Sequence, residues 1–293
     1  MKSYALNVGR LVLACRDINK GERARQQILS SCQSRSKESA VVEVWQLDMA
    51  SFDSILDFGD RLKELPRLDA FLANAGIDIV EYKAVDGWES VLLVNVIATF
   101  LVGLLALPTL VRTQEKFGKD TRLVFTTSIG HIFSKHDYLS KPAMGQIFET
   151  LNDAEKADMA DRYHLSKLME VLLSREMARR MTSSVATATR QHQTIVNCVN
   201  PGWCKTDLFR DFDGGLGGRI GLALIGRSSE EGSRTLVHAA TADRSSHGHY
   251  LSECRVKPEG EWAHSEAAIE TGERLWDELA GILEKVAPGV TRL

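Results

Sequence analysis

No basic tail, no Lys/Arg block and no excess of either charge sign runs through this sequence. Its 36 Lys and Arg stand against 39 Asp and Glu over 293 residues, a formal net charge of −3. Nucleic acid is therefore not an expected partner, because a phosphate backbone is met by clustered positive charge. The five cysteines (Cys15, Cys32, Cys198, Cys204, Cys254) are odd in number and contain no CxxC pair. That spacing argues against a disulfide framework or a zinc site, and for a reducing, cytoplasmic setting with no structural metal. The first residues lack an apolar core after their lysine, so they do not read as a signal peptide.

What is present is an ordinary soluble composition, 44% hydrophobic and 26% charged, enough for a full core. One long apolar run, residues 91–111, has the length of a membrane span. Asn95, Thr99 and Pro108 interrupt it and acidic Asp86 and Glu89 precede it, so no span is expected. A helix apolar on nearly all sides also fits between a sheet and a partner. Apolar strands are expected at 10–16, 41–47, 68–74, 122–128, 194–200 and 248–252. Helices are expected at 19–30, 51–64, 88–116, 162–182, 229–241 and 265–286, with loops at 33–39 and 211–221. Alternation of continuous apolar strands with helices predicts an α/β fold, a doubly wound parallel sheet of Rossmann type. No linker divides the chain, so residues 1–293 read as one domain, with 265–293 as its terminal helix and tail.

The chemistry gathers at strand ends. Ser128 closes the strand at 122–128, and Tyr163-His-Leu-Ser-Lys167 follows on a helix. Positions i and i+4 share a helix face, so Tyr163 and Lys167 point the same way. An ammonium beside a phenol favours the phenolate and lowers a pKa that starts near ~10, as an acid/base group requires. Asn74-Ala75-Gly76 and Pro201-Gly202 close two further strands, at the edge where open α/β sheets bind ligands. A buried Asn95 needs partners for its amide or costs about 1–3 kcal/mol.

Together, LACRD (13–17), LDMAS (47–51), NAG (74–76), VNVIATF (94–100), TTS (126–128), YHLSK (163–167) and VNPGW (199–203) resemble the short-chain dehydrogenase/reductase family. The length between Ser128 and Tyr163 is similar to that of retinol-dehydrogenase-type members. The wording NDAEKADMADRYHLSKLMEVL looks most like fungal reductases of secondary-metabolite pathways. The resemblance implies that Tyr163 is the proton donor and acceptor, with Lys167 lowering its pKa and binding the nicotinamide ribose. It implies that Ser128 orients the reacting oxygen and Asn95 supports a proton relay. Asp48, Asn74, Pro201, Gly202 and Thr206 join Tyr163 and Lys167 beside the cofactor. Arg16 ends the second strand of such a fold, where an arginine can pair with the 2′-phosphate of NADP. The implied activity is NADP(H)-dependent interconversion of a ketone or aldehyde and an alcohol on an apolar small molecule. A homodimer through helices 88–116 and 162–182 is expected. His131, Phe133, His136 and Tyr138 are candidates for a substrate pocket, His136 more simply for loop packing. Trp203 and residues 204–221, with Gly214, Gly215, Gly217 and Gly218, suit a hinged substrate lid.

One family element has no counterpart. Members begin with a strand, TGxxxGxG and a helix ahead of LACRD, whereas here Gly9 is the only glycine before Gly21. Such glycines let backbone N–H groups approach a pyrophosphate, and the first strand lies in mid-sheet. Three explanations stay open: a misplaced start or missed exon, a genuine short form, or a rearranged N-terminus. The short form would be a cofactor-deficient scaffold or a redox-neutral isomerase or cyclase.

Overall fold

A computed structural model describes residues 8–32, 41–183, 191–202 and 229–293. The expected loop at 33–39 and the expected lid, with Trp203 and Thr206, lie outside the described residues. Along the chain run β1 (Arg10–Cys15), α1 (Ile18–Cys32), β2 (Val41–Gln46), α2 (Phe52–Lys63) and β3 (Ala70–Ala73). Then come a hairpin of β4 (Ala84–Val85) and β5 (Trp88–Glu89), a π-helical stretch Leu92–Ala98, α3 (Thr99–Phe117) and β6 (Thr121–Thr126). A 3₁₀ turn Ile129–Phe133, α4 (Asp137–Ser140) and α5 (Ile147–Asn152) lead to α6 (Met159–Ser183) and β7 (Thr194–Asn200). The chain closes with α7 (Ser229–Ala239), β8 (Tyr250–Ser252), β9 (Arg255–Val256) and α8 (Glu266–Val286).

All seven residues of β7 are buried, as expected of a parallel strand covered on both faces. It lies between β6 and β8 in a sheet of order β3-β6-β7-β8-β9, parallel except for β9. β1 and β2 form a separate parallel pair, Arg10 opposite Val41 through Cys15 opposite Gln46. Among the described residues, β1 pairs only with β2, and β3 only with β6. Among the described residues the strands therefore fall into the five-stranded sheet, the β1–β2 pair and the β4–β5 hairpin. Helix α1 lies close on the pair: a Cβ on Gly21 would clash with Val44 Cγ1 and come within 2.7 Å of Cys15 Sγ.

The helix expected at 88–116 is corrected at its start. Asp86 and Gly87, at φ 50° and 80°, turn the chain between β4 and β5, and Trp88 and Glu89 belong to that hairpin. Asp-Gly between apolar residues is a short-range hairpin signal, because both central positions need positive φ. Glu89, fully buried, then caps the helix by accepting from Val91 N–H at 2.7 Å and Leu92 N–H at 3.0 Å. The run Leu92–Phe117 is 83% buried over its most apolar window and serves as a core helix. Phe100 stacks on Phe125 at 4.4 Å, and a Cβ on Gly103 would touch the Phe125 ring at 3.0 Å.

Helix α8 packs along α6 through Leu275, Trp276, Leu279 and Leu283, with Arg180–Asp277 at 2.8 Å and Arg179–Glu273 at 3.2 Å at the rim. The stretch between Ser128 and Tyr163 is not one long loop. Its short helices bury Leu139, Ile147, Phe148 and Leu151 and are tied to α8 by Arg274, which donates to the carbonyls of Pro142 and Ser140. The two helices expected to carry a homodimer are therefore mostly covered by their own chain.

Candidate active site

Ser128 follows β6 in extended conformation, and its hydroxyl accepts from the Gly130 N–H at 3.1 Å, starting the 3₁₀ turn. That turn holds the serine at the strand's C-terminal edge, where its side chain favours the ionised form of the Tyr163 phenol. Lys167 Nζ lies 5.6 Å from the centre of the Tyr163 ring, as the i, i+4 spacing on α6 requires. Lys167 donates to the Thr126 carbonyl at 3.1 Å and to Glu170 Oε1 at 2.8 Å. In return the Thr127 hydroxyl donates to the Lys167 carbonyl at 2.8 Å. The end of β6 and the first turns of α6 are thus locked together.

Asn95 sits fully buried in the π-helical stretch, and π-turns recur at functional sites. Its amide accepts from Ile77 N–H at 2.8 Å and donates to Ile77 carbonyl at 3.0 Å and Ser166 Oγ at 2.9 Å. The Ser166 hydroxyl itself donates to the Tyr163 carbonyl at 2.7 Å. Asn95 therefore fixes the Asn74–Asp78 loop to α6, and its side chain is committed to those bonds. The loop passes over the lysine: a Cβ on Gly76 would lie 3.4 Å from both Lys167 Nζ and Asn95 Oδ1. Asn74 accepts from the Thr126 hydroxyl at 3.2 Å.

The remaining expected residues follow the C-terminal ends of other parallel strands. Arg16, after β1, is exposed and makes no ion pair among the described residues. Asp48, after β2, is half-buried, its carboxylate accepting from Ala50 N–H at 3.0 Å. Gly202, after β7, takes φ 85° and donates to Asn200 Oδ1 at 3.0 Å, with half-buried Pro201 before it. Of the candidate pocket residues, Phe133 is 67% exposed and edge-on to His164, the neighbour of Tyr163. His131 is buried against Tyr250, His136 stacks on Trp262 at 4.4 Å, and Tyr138 donates to Asp158. These three serve packing.

The electrostatics correct one expectation. Burial pushes the Tyr163 phenol above its ordinary value; Lys167 and Ser128 pull it down, as expected of the lysine, without overcoming burial. Burial also opposes the charge on Lys167, but Glu170 and Tyr163 outweigh it and hold the ammonium above its ordinary range. Burial pushes Glu170 up to about 7 against the pull of Lys167. The sequence reading missed Glu170, although its place three residues after Lys167 on one helix was legible. It also missed Asp78, whose carboxyl is pushed up by burial while His164 and Lys167 oppose this. No local pattern marks Asp78; only the fold of its loop brings it there. Among the described residues no group of His, Cys, Asp and Glu is arranged to hold a metal.

A family model described as short chain dehydrogenase matches residues 8–139. A short chain dehydrogenase/reductase of Cryptosporiopsis sp. is 38% identical, covering 98% of this chain and 86% of that protein. A short-chain dehydrogenase of Penicillium roqueforti is 36% identical over 97% of this chain and 73% of its own length. Among solved structures, RhlG of Pseudomonas aeruginosa with NADP aligns at a TM-score of 0.54 and 21% identity, covering 83% of this chain and 84% of that one. A short-chain dehydrogenase from Sphingobium yanoikuyae in complex with NADPH gives 0.54 at 17% identity, covering 98% and 89%. At such identities the structures speak for the fold.

Proposed function

The chain belongs to the short-chain dehydrogenase family, and from that premise we propose an NADP(H)-dependent oxidoreductase that interconverts a ketone or aldehyde and an alcohol on an apolar small molecule. Secondary-metabolite biosynthesis in the cytoplasm, by one domain spanning residues 1–293, belongs to the same reading. The observation that carries it is Ser128 at a strand's C-terminal edge acting on the Tyr163 phenol, with Lys167 one turn along and its Nζ 5.6 Å from the ring centre.

At its two ends a nicotinamide dinucleotide fits the residues present. Arg16 offers an exposed guanidinium free of ion pairs among the described residues, suited to a 2′-phosphate. Lys167 uses two of its three N–H donors, on Thr126 and Glu170, and keeps one for a ribose hydroxyl. When bound, the cofactor supplies or accepts the hydride. In reduction, Tyr163 gives its phenolic proton to the substrate's carbonyl oxygen and Ser128 donates a hydrogen bond to that oxygen. The Lys167 ammonium steadies the phenolate left behind. Asn95 holds the Asn74–Asp78 loop in register over this centre. Phe133 and exposed Ile129 and Ile132 offer an apolar surface beside it.

The same proton-handling pair, Tyr163 with Lys167, equally supports one second reading, a redox-neutral isomerisation or cyclisation. Calorimetry with NADPH separates the two. Binding together with ketone-dependent loss of NADPH absorbance supports the oxidoreductase; a folded chain that binds no NADPH leaves the second reading.

A further inference from the structure

A carboxylate that the reaction as described does not use touches the catalytic lysine. Glu170 is fully buried on α6 and meets Lys167 Nζ at 2.8 Å, the two side chains being 1% and 5% exposed. Its other oxygen, Oε2, has no hydrogen-bond partner among the described residues, since the nearby Thr127 hydroxyl is committed to the Lys167 carbonyl. A buried carboxylate with a single strong partner depends on that partner for nearly all its stabilisation. Conversely, Tyr163 faces the field of a close ion pair rather than that of a bare ammonium.

We propose that Glu170 is a positioning residue that acts through Lys167, fixing the ammonium between the Thr126 carbonyl and its own carboxylate and moderating its pull on the Tyr163 hydroxyl. This rests on the reading of Tyr163 as the proton-handling group. Other charged and titratable groups face the set from each side. Asp78 approaches Tyr163 and Lys167 from the loop after β3, and His164 adjoins Tyr163 on α6. Cys198 faces Glu170 from β7, its thiol pushed up to about 12 by burial. None of these touches Lys167 Nζ as Glu170 does. With the carboxylate replaced by a neutral amide, the negative charge that raises the phenol is gone, and while Lys167 stays protonated the Tyr163 proton leaves at lower pH.

The experiment is an ultraviolet phenolate titration of the full chain, with Tyr163→Phe subtracted to isolate one of its five tyrosines. Glu170→Gln is expected to shift the Tyr163 transition down by about one pH unit or more. An unchanged or higher transition overturns the proposal. In a Lys167→Gln background the same substitution is expected to produce a clearly smaller shift; an equal shift shows action without the lysine and also overturns it. Should Glu170→Gln fail to fold, Glu170→Met, of similar length, carries the same expectation. The readout needs no turnover, so absence of NADPH oxidation counts against the proposed reaction and not against this role.

Discussion

The side chain of Asn95 takes up both backbone groups of Ile77, accepting from the N–H at 2.8 Å and donating to the carbonyl at 3.0 Å. A helix thereby pins a loop eighteen residues earlier. Replacing the amide by Leu leaves the half-buried Ile77 N–H and carbonyl without their partner and removes the donor to the buried Ser166 Oγ. Asn95→Leu is expected to destabilise the fold by about 2–3 kcal/mol, read as a lower midpoint in urea unfolding with unchanged slope.

Tyr163→Phe removes the transferable proton and leaves the ring in place. Ketone-dependent NADPH oxidation is expected to fall by about 100-fold or more while the circular dichroism spectrum and melting temperature hold. Retained turnover would remove Tyr163 from the reaction.

Arg16→Ala tests the cofactor choice. A hydrogen bond to a charged group contributes about 1.5–3 kcal/mol, so NADPH affinity is expected to drop about tenfold or more while NADH affinity stays put. Calorimetry with both cofactors reads the difference, and an equal loss for both would mark Arg16 as a surface residue only.

Arg162, next to Tyr163, meets Glu89 at 3.4 Å with both side chains buried, and donates to the Leu151 carbonyl at 2.6 Å. Arg162→Met leaves Glu89 without its cation. A loss of about 3–5 kcal/mol is expected in chemical denaturation, far more than for an exposed arginine.

Glu284 accepts from the Thr291 N–H at 2.9 Å, from the Gly289 N–H and from the Thr291 hydroxyl, which depress its carboxyl to about 2. A folded-state value below the unfolded one means that the charged form stabilises the fold. That contribution is complete above the ordinary carboxylate range near 4.5 and disappears as the pH falls through about 2. Glu284→Gln is therefore expected to be less stable than the parent at pH 6 and to match it near pH 2, in thermal melts at both.

Strand and helix order was legible because apolar runs report burial directly. Continuous runs such as TIVNCVN become wholly buried parallel strands, and Tyr163 with Lys167 meets Ser128 because helix pitch and strand ends are local properties. Legible but unread was the Asp86-Gly87 turn, hidden inside a long apolar pattern. The short helices between Ser128 and Tyr163 were not legible, since four- and six-residue helices owe their stability to α8 packing over them.

By itself the sequence determined the family, the order of elements and the set of proton-handling residues, since each rests on local periodicity or short motifs. Only the tertiary structure decided which charges meet. Burial raises the Tyr163 phenol despite its lysine, and Glu170 and Asp78 enter the site through packing. Desolvation depends on everything folded around a group, and no spacing of residues along the chain records it.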